Sequence, residues 1–124
     1  MDDFGLGQIG QIAITVTDTD RSVPFYRDIL GLPFLFEFPS LAFFDCAGVR
    51  LMLSAVPEPD THSSVIYFKV DDIQQAYRKL LGRGAVFESE PRLLARLPDH
   101  DLWMAMLRDP DRNLLGLMCE VSNH

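Results

Sequence analysis

Two stretches of this chain repeat the same pattern, and the repeat constrains the fold more than any other feature. Gln11–Val16 is followed by Asp18, and Val65–Val70 is followed by Asp71 and Asp72. In each stretch apolar and more polar residues alternate, which is typical of a β-strand, and aspartate is a favourable N-cap for the next helix. Because the copies begin at residues 11 and 65, the pattern predicts two similar modules of about sixty residues each.

The rest of each module is predicted to be one helix followed by three strands. In the first module Val23, Tyr26 and Leu30 recur at helical spacing before Gly31, a natural helix end. In the second module a helix is predicted from Ile73 to Leu81. The predicted strands are Pro33–Phe38, Leu41–Asp45, Val49–Ser54, Ala85–Glu88, Leu102–Leu107 and Leu114–Cys119, the last two joined by a tight turn at Asp109–Asn113.

These elements predict an α+β fold in which two βαβββ modules form a curved mixed sheet with a cup. A single domain is expected over residues 1–124, with module one at about 7–55, a Pro-containing linker at about 56–63 and module two at about 64–121. The helix is expected to pack on Ile12, Ile14 and Val16. The opposite, helix-free face would line the cup, and a concave surface of this kind favours ligand binding.

Composition excludes several functional classes. A net charge of −7 and a pI near 4.7 argue against binding to nucleic acid, and no stretch reaches the ~20 apolar residues that span a bilayer. The first five residues lack the basic region and apolar core of a signal peptide, so the cytoplasm is the expected compartment. Cys46 and Cys119 lack C-x-x-C spacing and are expected to be buried thiols rather than a disulfide.

The chain resembles a known superfamily in three places. The start of the chain is similar to the opening of the glyoxalase/bleomycin-resistance/dioxygenase group, the vicinal-oxygen-chelate superfamily. The similar segments are Ile9–Val16 with Asp18, and then Ser22–Leu32. Asp109–Asn113 is similar to its D-P-D-G-N turn. The resemblance implies the paired-module fold and a homodimer. It leaves the activity open, because the fold serves isomerases, dioxygenases, antibiotic-modifying enzymes and proteins that only sequester a ligand.

The resemblance also implies where a divalent metal would be bound. The four ligand positions of metal-dependent members correspond here to Gln11, Leu51, Val65 and Gly116. Of these, only Gln11 carries a side-chain donor atom, whereas a catalytic site needs about three protein ligands. The sequence therefore predicts no metal and no other cofactor.

Other residues are candidates for chemistry or for ligand contact. His100 is predicted to lie in a loop just before a strand, where it could act as an acid or base or could simply be hydrogen-bonded, whereas His62 and His124 are expected to be incidental. The candidate ligand-binding residues are Gln11, Phe43, Tyr67, Lys69 and Trp103. Tyr67 and Lys69 share the cup face in the predicted alternation, and the two aromatic residues could wall a pocket.

The sequence favours a protein that binds a small, partly apolar organic molecule in its cup without a metal. The alternative is a lyase, isomerase or dioxygenase of the same superfamily with a non-standard active site. A third possibility is a dimeric accessory subunit with a vestigial pocket. The sequence alone identifies neither the ligand nor how the modules pair.

Overall fold

The computed structural model describes residues 4, 7–59 and 65–123. Its elements, in chain order, are β1 (Gln11–Val16), α1 (Thr19–Pro24), a π-helical turn (Phe25–Ile29), β2 (Phe34–Phe38), β3 (Leu41–Cys46), β4 (Val49–Ala55), β5 (Ile66–Lys69), α2 (Ile73–Gly82), β6 (Val86–Phe87), β7 (Arg92–Arg96), β8 (His100–Arg108) and β9 (Leu114–Ser122). No helix in the described part of the chain is long and apolar enough to cross a membrane.

The strands form two sheets with matching topology. The first sheet has the order β1-β4-β3-β2, and the second has the order β5-β9-β8-β6 with β7 paired to β8. In each sheet the first strand of the module pairs in parallel with the last, β1 with β4 and β5 with β9. The predicted α+β fold of two modules is confirmed, with the strands divided between two hydrogen-bonded sheets.

Both helices begin where the sequence predicts. The Asp18 carboxylate accepts a hydrogen bond from the Asp20 N–H at 2.9 Å, and the Asp72 carboxylate accepts one from the Gln75 N–H at 3.1 Å. Helix α1 ends at Pro24, which has no N–H to donate. The chain continues as a π-helical turn, so the predicted first helix has two parts.

The second module contains a strand that the sequence analysis missed. Among the described strands β7 pairs only with β8, and four of its five residues are exposed. It therefore lacks the apolar alternation that reveals a half-buried strand. Strands β8 and β9 are also longer than predicted, because their antiparallel ladder continues to the pair His100 and Ser122.

A bulge in β2 divides its phenylalanines between the two faces of the sheet. The register shifts between Phe34 and Phe36, so that Phe34 pairs with the fully buried Phe44, while Phe36 pairs with Phe43. In an unbroken strand Phe34, Phe36 and Phe38 would share one face, whereas the bulge places Phe34 on the face opposite to Phe36 and Phe38. One extra residue in a strand reverses the side chains beyond it.

One hydrophobic core joins the two modules. Its buried residues come from the helices and the strand positions that face them, including Ile14, Val16, Leu53, Leu80 and Leu117. Ile66, Phe68 and Val70 pack against this core, as the alternation in β5 predicts. Both cysteines are free thiols; Cys119 is buried, whereas Cys46 is only partly buried.

The predicted turn at Asp109–Asn113 links the modules through buried polar groups. The Asp111 carboxylate accepts hydrogen bonds from the Thr17 N–H at 3.1 Å, the Arg21 guanidinium at 2.5 Å and the Ser22 hydroxyl at 3.2 Å. The Asp109 carboxylate accepts one from the Tyr26 hydroxyl at 2.8 Å. Burial raises the pKa of the Tyr26 phenol, and Asp109 raises it further, so the phenol remains a donor.

Candidate functional site

The helix-free face of the first sheet carries an aromatic group and a cation. By strand register this face comprises Gln11, Ala13, Thr15, Phe36, Phe38, Leu41, Phe43, Asp45, Arg50, Met52 and Ser54. The guanidinium carbon of Arg50 lies 5.8 Å from the ring centroid of Phe43 and 5.9 Å from that of Phe36. Phe43 is buried, but Phe38 is 57% exposed, so this face offers stacking surface to a partner or ligand.

On the second sheet, Tyr67 covers Gly116. The two residues are register partners on β5 and β9. A Cβ atom at position 116 would lie only 2.5 Å from Cδ1 and 2.8 Å from Cε1 of the Tyr67 ring. The glycine is therefore needed for the ring to lie over β9, and the ring occupies the space where a longer side chain at position 116 would project.

A chain of charged groups extends from Lys69 along the same face. The Lys69 ammonium lies 3.4 Å from Glu120 Oε1, and Glu120 Oε2 lies 3.2 Å from His100 Nε2. The other ring nitrogen, His100 Nδ1, lies 2.7 Å from the Asp99 carboxylate. His100 is the first residue of β8 rather than a loop residue, which corrects its predicted position.

A cavity of about 630 Å³ lies where the modules meet, and we call it the junction cavity. Its lining residues are Ile12, Leu32, Pro33, Asp45, Cys46, Ala47, Val49 and Leu51 from module one and Ile66, Tyr67, Phe68 and Lys69 from module two. Most of this lining is apolar, and the polar side chains are those of Asp45, Tyr67 and Lys69. A few polar groups within apolar walls are typical of small-molecule sites.

Cys46 is the thiol in this lining. Burial raises the pKa of the thiol, and the adjacent Asp45 carboxylate raises it further. The thiol is therefore protonated near neutral pH and is not activated as a nucleophile.

A second cavity, of about 500 Å³, shares Asp45 with the junction cavity. It is lined by Gly10, Gln11, Leu35, Asp45, Gly48 and Arg50. Three of the predicted ligand-binding residues thus line two cavities that share Asp45. Tyr67 and Lys69 line the junction cavity, and Gln11 lines the second cavity. Phe43 lies under Arg50, which lines the second of them.

Trp103 lies apart from the other candidates. It pairs with Cys119 in the β8–β9 ladder and packs against the buried core, on the opposite face of the sheet from Tyr67 and Lys69. It lines neither the junction cavity nor the second cavity. His62 and His124 lie outside the described residues.

The side chains at the four positions that the resemblance assigns to metal ligands do not provide the ligands of a metal site. Leu51 is 2% exposed and faces the core on the same side of the sheet as its register partners Ile12 and Phe44. The residues next to it in the chain, Arg50 and Met52, lie on the helix-free face. The Gln11 amide nitrogen lies 3.8 Å from the Met52 sulfur.

The remaining two positions offer no ligand either. Val65 has no donor atom in its side chain, and the space at Gly116 is taken by Tyr67. Residues 4, 7–59 and 65–123 contain no group of three or more His, Cys, Asp or Glu side chains placed to hold an ion. The described residues therefore do not form the metal site of this superfamily.

Sequence reasoning missed Glu120 and Asp45. Glu120 continues the alternation of Gly116 and Met118, but the predicted last strand ended at Cys119. Extending that alternation by one residue would have placed Glu120 on the face of Lys69. Asp45 was predicted as a strand residue, and nothing in its local pattern indicates that two cavities meet beside it.

Comparisons with known proteins identify the family. A sequence model of the Glyoxalase/Bleomycin resistance protein/Dioxygenase superfamily matches residues 8–117. The alignment with the uncharacterized protein YraH of Bacillus subtilis (strain 168) spans 126 positions at 31% identity, and the match covers 86% of this chain and 94% of YraH.

Solved structures show the same fold. A lactoylglutathione lyase from Agrobacterium tumefaciens has a TM-score of 0.75 at 22% identity, covering 92% of this chain and 94% of its own. TioX from Micromonospora sp. ML1 has a TM-score of 0.76 at 20% identity, covering 93% of this chain and 100% of its own. At these identities the likeness shows the fold alone.

Proposed function

The chain belongs to the glyoxalase/bleomycin resistance protein/dioxygenase superfamily, and from that premise we propose that it binds a small, partly apolar organic molecule in the junction cavity, without the usual divalent metal. The observation that carries the proposal is the cavity itself. Its volume of about 630 Å³ lies within the range of ligand pockets, and its walls come from both modules.

The polar groups of the cavity support an organic ligand rather than an ion. Lys69 and Asp45 have opposite charges, and the Tyr67 phenol can donate or accept a hydrogen bond. These groups can orient a molecule whose remaining surface is buried against Leu32, Ile66 and other apolar side chains. Burial of that surface supplies the affinity at about 25 cal/mol per Å² before the costs of association.

A ligand screen with two matched variants tests the proposal. Small apolar and aromatic compounds are screened by ligand-observed NMR, and the affinities of those that bind are measured by calorimetry. Val49→Phe adds volume to the wall of the junction cavity, and we expect it to weaken binding about tenfold or more by steric exclusion. Val86→Phe makes the same change at a residue that is 67% exposed and outside this lining, and should leave binding unchanged.

Two results would contradict the proposal. One is the absence of any compound that binds the wild-type protein with a Kd below about 1 mM. The other is a set of binding compounds whose affinities are the same in Val49→Phe as in the wild type, because such compounds would occupy another surface.

A second candidate function is acid–base catalysis, and the charged chain from Lys69 to His100 favours it. His100 and Glu120 lie within reach of each other, and a histidine between two carboxylates can accept and return a proton. If a compound from the screen is converted, we expect His100→Ala to lower its turnover about a hundredfold. A pH–rate profile that is the same in this variant would remove His100 from the reaction.

We also propose a homodimer. The support is the aromatic surface on the first sheet, where Phe36 and Phe38 are 40% and 57% exposed; exposed apolar patches commonly mark interfaces. Light scattering should give the mass of two chains, and Phe38→Glu should shift the molecule toward one. A single-chain mass for the wild-type protein would contradict this assembly.

A further inference from the structure

We propose that a cavity beside α1 binds an amphipathic anion, a small molecule with an apolar body and one carboxylate or phosphate group. The cavity has a volume of about 550 Å³ and lies between the first helical segment and the turn that follows β8. We call it the arginine cavity, because Arg21, Arg108 and Arg112 line it. It shares no lining residue with the junction cavity, so this proposal does not depend on the proposed function.

The backbone at Arg112 is the first observation that supports a binding role. Its φ angle is +69°, in the left-handed region that glycine adopts readily and that residues with a Cβ atom rarely adopt. The same position is glycine in the D-P-D-G-N turn that this turn resembles. Backbone strain of this kind is concentrated at ligand sites, and the guanidinium is the group that arginine adds here.

The three guanidinium groups retain hydrogen-bond donors for a ligand. In the described part of the chain the Arg112 side chain makes no hydrogen bond or ion pair. Arg108 donates through Nε to Glu88 and through Nη1 to the Arg112 carbonyl, and Arg21 donates to Asp111 through Nη2. A guanidinium has five N–H donors, so Arg21 and Arg108 also have donors beyond these contacts.

The carboxylates in the lining already have partners within the protein. The lining contains three arginines and two aspartates, Asp28 and Asp109. Asp109 accepts hydrogen bonds from the Tyr26 hydroxyl at 2.8 Å and the Asn113 side-chain amide at 2.9 Å. Asp28 pairs with Arg27 at 2.9 Å. An anion in this cavity would therefore meet more positive than negative groups, and arginine suits both carboxylate and phosphate oxygens.

The rest of the lining is mainly apolar, which determines the other half of the ligand. The apolar lining residues are Pro24, Phe25, Ile29, Val86 and Pro110. Val86 is 67% exposed, so part of this surface is open to an incoming molecule. Burial of an apolar body against these side chains adds affinity that an inorganic ion cannot gain. The cavity thus suits an amphipathic anion better than free phosphate.

Hydrogen bonds fix the walls of the arginine cavity before a ligand binds. The Arg83 guanidinium donates to the Ile29 carbonyl at 3.0 Å and ties the end of α2 to the π-helical turn. The Arg108 guanidinium donates to the Arg112 carbonyl at 2.9 Å and holds the turn after β8. A site whose walls are already in place loses less affinity to the ordering of its residues.

A matched pair of compounds tests the proposal on the wild-type protein. 2-Naphthoate has an apolar body and a carboxylate, whereas 2-naphthamide has the same body without the charge. Calorimetry at low ionic strength should show that the naphthoate binds about tenfold or more tightly than the amide, because only the carboxylate makes charge-assisted hydrogen bonds with guanidinium. 2-Naphthyl phosphate is measured beside them, and the tighter of the two anions identifies the anionic group that the site prefers.

Two variants separate a guanidinium at the site from the general loss of one positive charge. Arg112→Gly removes the guanidinium and supplies the residue that suits this φ angle, so the variant is expected to fold like the wild type. We expect it to bind 2-naphthoate about tenfold or more weakly. Arg78→Ala removes an exposed arginine of α2 that lies outside this lining, and should leave the affinity unchanged.

The outcomes distinguish this proposal from the proposed function. Equal binding of 2-naphthoate and 2-naphthamide overturns it, and so does a naphthoate affinity that is the same in Arg112→Gly as in the wild type. Weaker binding of the naphthoate in Val49→Phe also overturns it, because the compound would then occupy the junction cavity. None of these results contradicts the proposed function, which is tested by the compounds whose affinity responds to Val49→Phe.

Discussion

Replacing Asp111 by alanine is expected to lower the free energy of unfolding by about 3 kcal/mol or more. The Asp111 side chain is only 2% exposed and accepts hydrogen bonds from Thr17, Arg21 and Ser22 in the first module. Without the carboxylate, the fully buried Ser22 hydroxyl loses its acceptor, and the hydrogen bonds that Asp111 makes to the first module are lost. Urea unfolding of both proteins, followed by circular dichroism, measures the difference.

Asp28→Ala is the matched control for this change. Asp28 also pairs with an arginine, Arg27, but both side chains are about half exposed or more. An ion pair in solvent contributes little to stability, so we expect no measurable change. Equal effects of the two substitutions would contradict the role of Asp111, because burial and the link between modules are what distinguish it.

Phe44→Ala is expected to destabilise the protein by about 3–5 kcal/mol. The Phe44 ring is fully buried and lies 5.9 Å from the Tyr26 ring and 5.6 Å from the Phe34 ring, measured between centroids. Alanine would leave a cavity among rigid core side chains, and the surrounding structure can fill it only in part. Urea unfolding measures this loss in the same way.

The same substitution at Phe38 provides the comparison. Phe38 lies on the neighbouring strand but is 57% exposed, so we expect Phe38→Ala to cost about 1 kcal/mol or less in the monomer. A small loss for Phe44→Ala together with a large loss for Phe38→Ala would mean that the two faces of this sheet are assigned the wrong way round.

Local patterns predicted most of the architecture. The repeat at Gln11–Val16 and Val65–Val70 predicted the equivalent strands, and Asp18 and Asp72 predicted the helix starts. These features depend on alternation and on capping, which involve neighbouring residues. The missed strand β7 and the bulge in β2 depend on partner strands distant in sequence, and no local pattern reveals the partner.

The candidate site was predictable only in part for the same reason. Tyr67 and Lys69 were placed on one face by alternation alone, and the structure puts both beside the junction cavity. Leu51 and Trp103 were expected near the site, but cross-strand register turns both toward the core. A shift of one residue along a strand reverses the face, and sequence spacing does not fix register to that accuracy.

The most direct test of the central claim is the Kd of one compound that binds the junction cavity, measured by calorimetry in buffer with EDTA and again with added Zn²⁺, Ni²⁺ or Mn²⁺. The account predicts the same Kd in all of these buffers, because the cavity residues bind the compound without an ion. Loss of binding in EDTA and its recovery with one metal would contradict the account, and would show that the protein holds a metal site that Gln11, Leu51, Val65 and Gly116 do not form.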